Sequence, residues 1–372
     1  MSTEGYYRYP TIFKEQIVFV SEDDLWMVST EGGVARRLTA GLGLASTPVF
    51  SPDGTQIAFA GSEEGYPEVY VMPIDGGSIK RLTFLGDEVN VIAWTEEGII
   101  FASSAGQPFG RWNALWCVSP NGGEPQRLPI GPANFISYKE KGSKIAVIQR
   151  HGYREYGFWK RYRGGTAGQL WIDQTGKGDF KSLLDIKSDF ARPLWVQNRI
   201  YFSSDHEGVG NLYSCLMDGT DIKQHTTHSD YYVRNQSSDG ARIVYHAGGD
   251  LYLFDPQKNV SQKVIFDYKS TKFQRNRKFI TPGRYLEDFS IHPKGHHLAV
   301  VTRGKAFAFG NWDGAVFQLG AQQGVRFRIP RWLHDGERIL LIHDRDCEEI
   351  LEIYHGETSE RLSSSGVLSF GR

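Results

Sequence analysis

The chain has 372 residues, enough for two or three domains or for one long array of repeats. Its formal net charge of -1 and sequence pI of about 6.8 argue against a nucleic-acid partner and against an anionic membrane surface. Three cysteines, an odd number without a CxxC pair, predict a reducing compartment and no disulfide framework. Because the sequence opens without a signal-peptide pattern and no apolar run reaches about 18 residues, we expect a cytoplasmic protein without a membrane span.

One apolar strand pattern recurs along the whole chain. Its copies are QIVFV (16–20), QIAFA (56–60), GIIFA (98–102), KIAVI (144–148), RIYFS (199–203), RIVYH (242–246), HLAVV (297–301) and RILLI (338–342). The interval between copies runs from 40 residues, between 16 and 56, to 55 residues, between 144 and 199. An aromatic strand such as DLWMV (24–28) follows each copy, and in most intervals a more polar strand such as ARRLT (35–39) comes next.

Before most copies lies an opening strand that ends in a tight turn, most clearly in TPVFSPDG (47–54). The glycine supplies the positive φ that such a hairpin needs. Four short strands per interval predict an all-β fold, a β-propeller of four-stranded blades. Runs such as IVFV are apolar at every position, which fits blades that are buried on both faces. We find no capped amphipathic helix.

The number of blades that close together stays open at this point. Six units fit within residues 1–266, and YYRYPTIF (6–13) opens the first of them. A polar, basic segment at 267–283 is interpreted as a linker. Residues 284–372 would then form the first blades of a truncated second propeller. The alternative is a single eight-bladed propeller that VLSFGR (367–372) seals by pairing beside the first blade. The basic linker favours a six-bladed propeller followed by the start of a second one.

An enlarged loop at 151–168 separates two predicted strands of the fourth unit. It carries Trp159, Arg161, Tyr162 and Arg163 beside a Gly-Gly-Thr turn. The turn lacks the spacing of a phosphate-binding Walker loop. Aromatic residues and arginine are enriched at interfaces, so these four residues are the candidate contacts for a partner or a peptide. The alternative is that they only pack the loop onto its own blade.

Residues with catalytic or metal-binding chemistry are present, but their spacing favours structural roles. There is no G-x-S-x-G elbow, so we predict that the chain alone has no catalytic residues and is inactive. The two histidines of HTTH (225–228) and the three histidines of HPKGHH (292–297) are interpreted as parts of solvated turns. We therefore expect no metal site and no cofactor. Asp23, Asp24, Asp53 and Asp239 are interpreted as turn aspartates that bind their own backbone.

Several segments resemble the amino-terminal part of the tricorn proteases. They are DDLW (23–26), GPANFI (131–136), FWKRYRGGTAGQLWI (158–172), EGVGNLYS (207–214), DGTDIKQHT (218–226), SDYYVRNQSSDGARI (229–243), LEDFS (286–290) and RGKAF (303–307). They come in the family's order and cover nearly the whole chain. Tricorn proteases are cytosolic serine peptidases that begin with a six-bladed propeller followed by a seven-bladed one, act on short peptides and assemble as hexamers.

The resemblance implies a non-catalytic propeller portion that gates or channels short peptides to a catalytic region outside this chain. Its implied partners are the catalytic domains of the same protein and further subunits. The sequence departs from the family in length, and FLGDEVN (84–90) lacks the arginine pair by which members can hold a substrate carboxylate. We therefore assign no substrate anchor by resemblance. The alternative function is a stand-alone propeller that serves as an interaction scaffold.

Overall fold

The computed structural model describes residues 5–40, 43–110, 112–152, 161–272, 281–320, 323–345 and 349–362. These residues form eight four-stranded antiparallel sheets and contain no α-helix, and one short 3-10 turn spans Pro282–Arg284. In every sheet the four strands lie in chain order. The chain divides into two compact units, Met1–Gln274 with the first six sheets and Arg275–Arg372 with the last two. The predicted all-β fold of four-stranded propeller blades is confirmed.

The sheets are numbered as blades in chain order. Blade 1 contains β1 (Arg8–Phe13), β2 (Gln16–Ser21), β3 (Asp24–Ser29) and β4 (Gly32–Arg37); blade 2 contains β5 (Ala45–Phe50), β6 (Gln56–Gly61), β7 (Glu68–Pro73) and β8 (Lys80–Arg81); blade 3 contains β9 (Val89–Trp94), β10 (Ile99–Ser103), β11 (Ala114–Val118) and β12 (Gln126–Pro132). Blade 4 contains β13 (Phe135–Tyr138), β14 (Ala146–Arg150), β15 (Gln169–Asp173) and β16 (Lys181–Ser182); blade 5 contains β17 (Phe190–Val196), β18 (Arg199–Ser204), β19 (Asn211–Cys215) and β20 (Lys223–Gln224); blade 6 contains β21 (Arg234–Ser238), β22 (Ile243–Ala247), β23 (Asp250–Asp255) and β24 (Val260–Lys263).

The second unit holds the remaining strands. Blade 7 contains β25 (Leu286–Ile291), β26 (His297–Thr302), β27 (Lys305–Gly310) and β28 (Phe317–Leu319); blade 8 contains β29 (Phe327–Trp332), β30 (Ile339–His343), β31 (Ile350–His355) and β32 (Thr358–Arg361). The opening strand predicted from YYRYPTIF is β1.

In the six blades of the first unit, the second strand is buried on both faces, as the apolar runs predict. In β2, Ile17 and Phe19 pack in a cluster with residues of blade 6, such as Val244. Val18 and Val20 pack in a different cluster with residues of blade 2. Because side chains alternate along a strand, one uninterrupted apolar run serves two neighbouring blades.

A buried acid or amide next to a threonine ties the third strand of a blade to its fourth. Thr83 donates its hydroxyl hydrogen to Glu68 Oε2 at 2.6 Å, and the same hydroxyl oxygen accepts the backbone N–H of Val69 at 2.9 Å. The pairs Asp24–Thr39 and Asn211–Thr226 repeat this arrangement at 2.6 and 2.8 Å. Asp24 also pairs with Arg37 and is buried, so its interpretation as a turn aspartate is wrong. The RLT segments thus end blades 1 and 2 with a threonine hydroxyl that is hydrogen-bonded to a buried acid.

Blade 1 packs directly against blade 6 and closes a ring of six blades in the first unit. Thr11 Oγ1 lies 3.3 Å from Ser237 Oγ, and the backbone N–H of Tyr7 donates to Gly249 O at 2.9 Å. Among the described residues, no strand is exchanged between the two sheets. This contact is the one that a six-bladed ring requires. The predicted domain boundaries remain a prediction. The segment VLSFGR, which was to seal an eight-bladed ring in the alternative, lies outside the described residues.

A short segment after β24 clasps blade 1 from outside. Asp267 exchanges backbone hydrogen bonds with Gly33 and Ala35 at 2.8 and 2.9 Å, beside β4. Tyr268 is buried, and its ring centre lies 4.7 Å from that of Trp26 with the two ring planes tilted by 56°. It donates its hydroxyl hydrogen to Ser21 Oγ at 2.9 Å. The start of the predicted linker is therefore held within the first unit.

Blade 7 has two apolar faces, and only one of them is covered by blade 8. Ala299 and Val301 of β26 lie in a cluster with Phe327 and Leu341 of blade 8. The opposite face carries two cross-strand rows, Ile291–Leu298–Phe309 and Phe289–Val300–Phe307. Phe289 and Ile291 are 52% and 57% exposed.

Replacing Tyr268 with alanine tests the clasp. We expect Tyr268→Ala to lower the free energy of unfolding of the first unit by about 3–5 kcal/mol, because a buried aromatic ring is lost. Tyr268→Phe removes only the hydrogen bond to Ser21 and should cost about 1 kcal/mol. The control is Ile265→Ala in the same segment, at a side chain that is 79% exposed. Urea unfolding measures the stability of all three variants. Equal unfolding midpoints for Tyr268→Ala and the control would contradict a stabilising role of the clasp.

Candidate functional site

The axis of the six-bladed ring holds two cavities in series, lined by all six opening strands. The wider one has a volume of about 590 Å³ and lies at the beginning of these strands, where it is lined by Arg8, Val89, Phe135 and Arg234 among others. The narrower one, of about 350 Å³, lies toward their ends. Successive strands of a blade run in opposite directions, so the first strand begins on the same face on which the second and fourth strands end. The wider cavity therefore opens on the face that carries the loops between blades and the loops between second and third strands. We call this the inter-blade face.

Bulges in the opening strands turn side chains into the channel. Tyr9, Thr47, Arg192 and Asn235 adopt φ values of 48°, 45°, 47° and 50°, and each lies at an interruption of the register with the next strand. All four line one or both cavities. A β-bulge bends its strand and re-aims a side chain, and left-handed backbone outside glycine is uncommon. The channel lining is thus built from locally unusual backbone.

Arginines dominate the charge of the wider cavity. Arg8, Arg192 and Arg234 line it, together with the single described carboxylate Glu88. The Arg192 guanidinium lies 5.4 Å from the centre of the Phe135 ring. The sequence analysis missed these residues. The signal that was available is the X-Pro dipeptide inside three opening strands, Tyr9-Pro10, Thr47-Pro48 and Arg192-Pro193, because proline within a sheet marks an edge or a bulge.

His246 is buried beside the three arginines. Its Nε2 donates to Asn235 Oδ1 at 2.8 Å, which leaves Nδ1 as an unprotonated acceptor without a partner among the described residues. Burial, followed by the charges of Arg234, Arg192 and Arg8, lowers the pKa of His246 to about 3. The imidazole is therefore neutral at physiological pH.

The predicted contact loop lies on the inter-blade face, between β14 and β15. Tyr162 is 41% exposed and its hydroxyl oxygen accepts a hydrogen bond from Thr166 at 3.1 Å. Arg161 is also exposed, whereas Arg163 donates to Asp205 Oδ2 at 2.9 Å and to Asp205 O at 3.2 Å. Asp205 is buried, so Arg163 tethers the loop to blade 5. Trp159 lies outside the described residues.

Exposed aromatic residues of the first unit are concentrated on this same face. Among the described residues, its large exposed aromatic side chains all lie in inter-blade loops or in loops between second and third strands: Tyr6, Tyr66, Phe84, Phe109, Trp112, Tyr162 and Tyr231. The opposite face presents short turns of charged and polar residues such as Lys14-Glu15 and Glu96-Glu97. The two ends of the channel therefore meet different surfaces.

In the described part of the chain, two serine–histidine hydrogen bonds occur, and both serines are buried. Ser214 Oγ lies 2.7 Å from His225 Nε2, whose Nδ1 donates to Asn259 Oδ1 at 2.6 Å. Ser204 Oγ lies 2.7 Å from His206 Nδ1. Ser214 and Ser204 have no exposed surface. Ser214 Oγ also accepts from Arg199 Nε at 2.7 Å. A nucleophile must be reachable by its substrate, so these contacts are structural.

Two further histidines of the predicted turns, His228 and His292, also have structural contacts. His228 Nε2 lies 2.9 Å from the Tyr245 hydroxyl, apart from His225. His292 is buried and donates to Gly336 O at 2.8 Å, so its interpretation as part of a solvated turn is wrong, whereas His296 is exposed. Within the described ranges, His, Cys, Asp and Glu nowhere gather in a group that could hold a metal ion.

Asp53 and Asp239 are turn aspartates, as predicted. Asp53 Oδ1 accepts hydrogen bonds from the Ser51 hydroxyl and from the Thr55 backbone N–H, at 2.6 and 3.0 Å, which lowers the pKa of Asp53 to about 2. Asp239 Oδ1 accepts the backbone N–H groups of Ala241 and Arg242. Cys117 and Cys215 are free thiols. Among the described residues, no helix has the length and apolar character needed to cross a membrane.

The family model of the tricorn protease N-terminal beta propeller domain matches residues 4–260. The chain belongs to the tricorn protease family. It is 37% identical over 356 residues to a tricorn protease homolog of Saccharolobus solfataricus, with 94% of this chain and 32% of the relative covered. The crystal structure of the tricorn protease matches with a TM-score of 0.79 and 30% identity, over 97% of this chain and 36% of that chain.

The chain thus corresponds to the N-terminal propeller part of tricorn proteases and spans about a third of the length of these two relatives. A Sulfurisphaera tokodaii protein named as a tricorn-like protease N-terminal subunit is 33% identical over 175 residues, with 45% of this chain and 87% of that protein covered. The predicted family membership is confirmed.

Replacing His246 tests its environment through the pH dependence of stability. Because the pKa is about 3 in the folded protein and about 6.5 in an unfolded chain, only the unfolded state gains a proton between these values. The contribution of His246 to stability is therefore complete above about pH 6.5 and declines as the pH falls toward 3. We expect His246→Gln to flatten the dependence of the unfolding free energy on pH in this window, as measured by urea titration. If the variant keeps the pH dependence of the unfolding free energy, the lowered pKa of His246 is contradicted. The control is His334→Gln, at an exposed side chain.

Proposed function

We propose that this chain is the non-catalytic propeller portion of a tricorn-type serine peptidase and that short peptides pass through the axial channel of its first unit. The catalytic region to which the peptides are gated would lie outside this chain. The observation that carries the proposal is the pair of axial cavities, whose lining comes from every blade of the ring. Ligand sites are concave and contain a few placed polar groups, as the wider cavity does.

The burial of the described serines that contact histidine agrees with the proposal that this chain is not catalytic. Ser204 and Ser214 are the serines in contact with histidine, and neither can be reached by a peptide. We therefore propose that the chain alone does not hydrolyse peptides. A cytoplasmic location and a hexameric assembly, as in the family, belong to this proposal.

We further propose that the inter-blade face contacts the catalytic region or another subunit through Arg161 and Tyr162. The support is the concentration of exposed aromatic residues around the wider mouth of the channel, since aromatic residues anchor interfaces. Arg163 would act indirectly, by holding the loop on Asp205. The stand-alone scaffold is the second candidate, because the same aromatic surface would also suit an unrelated partner.

The boundaries 1–266, 267–283 and 284–372 are retained as a proposal, in which the last segment begins a second propeller. The face of blade 7 that blade 8 does not cover carries the exposed Phe289 and Ile291 among the described residues, and it supports the proposal because propeller blades are packed on both faces. A structure of the complete protein that leaves this face in solvent would contradict the proposal.

Narrowing the channel tests peptide passage. Ser46 lines the wider cavity, so Ser46→Trp should lower the affinity of the chain for short fluorescent peptides by about tenfold or more through steric exclusion. Fluorescence anisotropy measures binding, and Ser182→Trp on exposed strand β16 is the control. Equal binding by both variants would exclude the channel as the site. Hydrolysis of fluorogenic peptides by the purified chain, abolished by serine-directed inhibitors, would refute the non-catalytic assignment.

Photo-crosslinking from position 162 tests the docking face. A photoreactive phenylalanine in place of Tyr162 should give crosslinks in cells to residues of a serine peptidase region, because the loop would lie at that interface. Lys141 is exposed on the opposite face and provides the matched control position. Mass spectrometry identifies the linked residues. Crosslinks only to a protein without a peptidase region would favour the scaffold, and equal yields from both positions would contradict a single docking face.

A further inference from the structure

Side-chain amides form a large part of the wall of the wider cavity. Five of them line it, and we call this set the amide belt: Asn90, Asn113, Asn134, Gln149 and Asn235. They lie on or directly before strands of blades 3, 4 and 6. An amide group carries a hydrogen-bond donor and an acceptor but no charge, so the belt supplies neutral polar contacts of both kinds.

Hydrogen bonds to the backbone fix how the belt amides are turned. Asn134 Nδ2 donates to His151 O at 2.6 Å, so its Oδ1 is the atom that accepts from Asn113 Nδ2 at 2.8 Å. Gln149 Oε1 accepts the backbone N–H of Arg192 at 2.8 Å. A carbonyl oxygen only accepts and a backbone N–H only donates, so the bonding partners determine these orientations.

The same bonding leaves acceptors of the cavity wall without a donor. Asn113 Oδ1 is buried and has no hydrogen-bond partner among the described residues, because Nδ2 is the atom turned to Asn134. His246 Nδ1 is a second such acceptor, and its ring lines the same cavity. A buried acceptor without a donor is costly, so a ligand or a water that supplies a donor is favoured there.

Asn90 is the belt residue whose amide is open to a ligand. Its side chain is partly buried on β9, lines the wider cavity and makes no hydrogen bond in the part of the chain that the structure describes. Val89 and Val91 lie in an apolar cluster with residues of blade 2, so alternation turns Asn90 to the other face of the strand. Asn90 can therefore donate and accept at the same time.

We propose that Asn90, Asn113 and His246 form a site in the channel that hydrogen-bonds the main-chain amides of an extended peptide. The inference rests on the proposed function, in which peptides enter this channel. Each peptide unit offers one N–H and one C=O, which the Asn90 amide can bind together.

Further N–H groups of the peptide reach Asn113 Oδ1 and His246 Nδ1. Both acceptors are covered in the free chain, so their side chains turn toward the peptide as it binds. Because every peptide has the same main chain, the site holds peptides of different sequence. An extended peptide is required, since a helix bonds these groups internally.

An ester substitution tests the site with the complete chain. The probe is an acetylated and amidated alanine peptide with a fluorophore on a terminal lysine side chain, so end charges and side-chain amides are absent. Lactate replaces one alanine at a time, which exchanges a main-chain N–H for oxygen without adding bulk. We expect the ester to weaken binding about fivefold at particular positions, the effect of one neutral hydrogen bond, as measured by fluorescence anisotropy.

A variant without the Asn90 amide separates a direct contact from a loss of structure. Asn90→Leu should weaken binding of the all-amide peptide about fivefold, because a side chain of similar size no longer hydrogen-bonds. At one ester position the variant should cause no further loss, since that bond is already absent. Asn121→Leu, in the exposed turn between β11 and β12, is the matched control and should change no affinity. If Asn90→Leu does not fold, as judged by its urea-unfolding midpoint, Asn90→Ala replaces it.

The outcomes distinguish this inference from the proposed function. Equal affinities of the all-amide peptide and all its esters, with binding still blocked by Ser46→Trp, would overturn the amide site and leave the channel intact. The same holds if a peptide with free ends binds in the channel and the capped probe does not. Equal weakening of the all-amide and every ester peptide by Asn90→Leu would also overturn the site, because it shows an indirect effect. Binding of no peptide at all would overturn both proposals.

Discussion

The packing of blade 1 against blade 6 is the contact on which the channel depends. Without it, the opening strands would not surround an axis, and residues as distant as Arg8 and Arg234 would not line one cavity. In the part of the chain that the structure describes, no strand exchanged between the two blades secures this contact. It is formed by an apolar cluster that includes Phe19 and Val244, and by the clasp of Asp267 and Tyr268 outside blade 1. Burial of apolar surface, edge-on and tilted aromatic contacts, and the backbone hydrogen bonds of Asp267 beside β4 together close the ring.

The bulges of the opening strands connect the fold to the candidate function. Left-handed residues such as Thr47 and Arg192 cost about 1–3 kcal/mol each and persist only where their surroundings fix them. Here the neighbouring blades do so: the Thr47 hydroxyl oxygen accepts the N–H of Val91 at 3.1 Å. The same bonds that join blades therefore hold the backbone conformation that lines the channel.

The two faces of the ring divide the chemistry of the first unit. The inter-blade face combines exposed aromatic residues, the loop tethered by Arg163 and the cationic mouth of the channel. The opposite face has short polar turns in which aspartates such as Asp53 bind their own backbone. The proposed interface and the proposed peptide entrance, both on one face, agree with a propeller that works next to a peptidase region. The turns on the other face are stabilised by these local hydrogen bonds.

The sequence by itself determined the strands, the four-stranded blades and the family, because each blade is encoded within a short stretch by local alternation, turn glycines and a closing RLT-type segment. It did not determine which blades meet, that His292 and Asp24 are buried, or that two buried serines contact histidines. It also missed the arginine cluster, although Arg192-Pro193 marked a bulge. The arginine cluster depends on residues as far apart as Arg8 and Arg234, which only the closing of the ring brings to one cavity. The buried acid, serines and histidines depend instead on packing within a blade or against a neighbouring blade, which an alternating pattern does not specify. Periodicity is a local property of a strand, whereas burial and charge at the axis arise from all six blades at once.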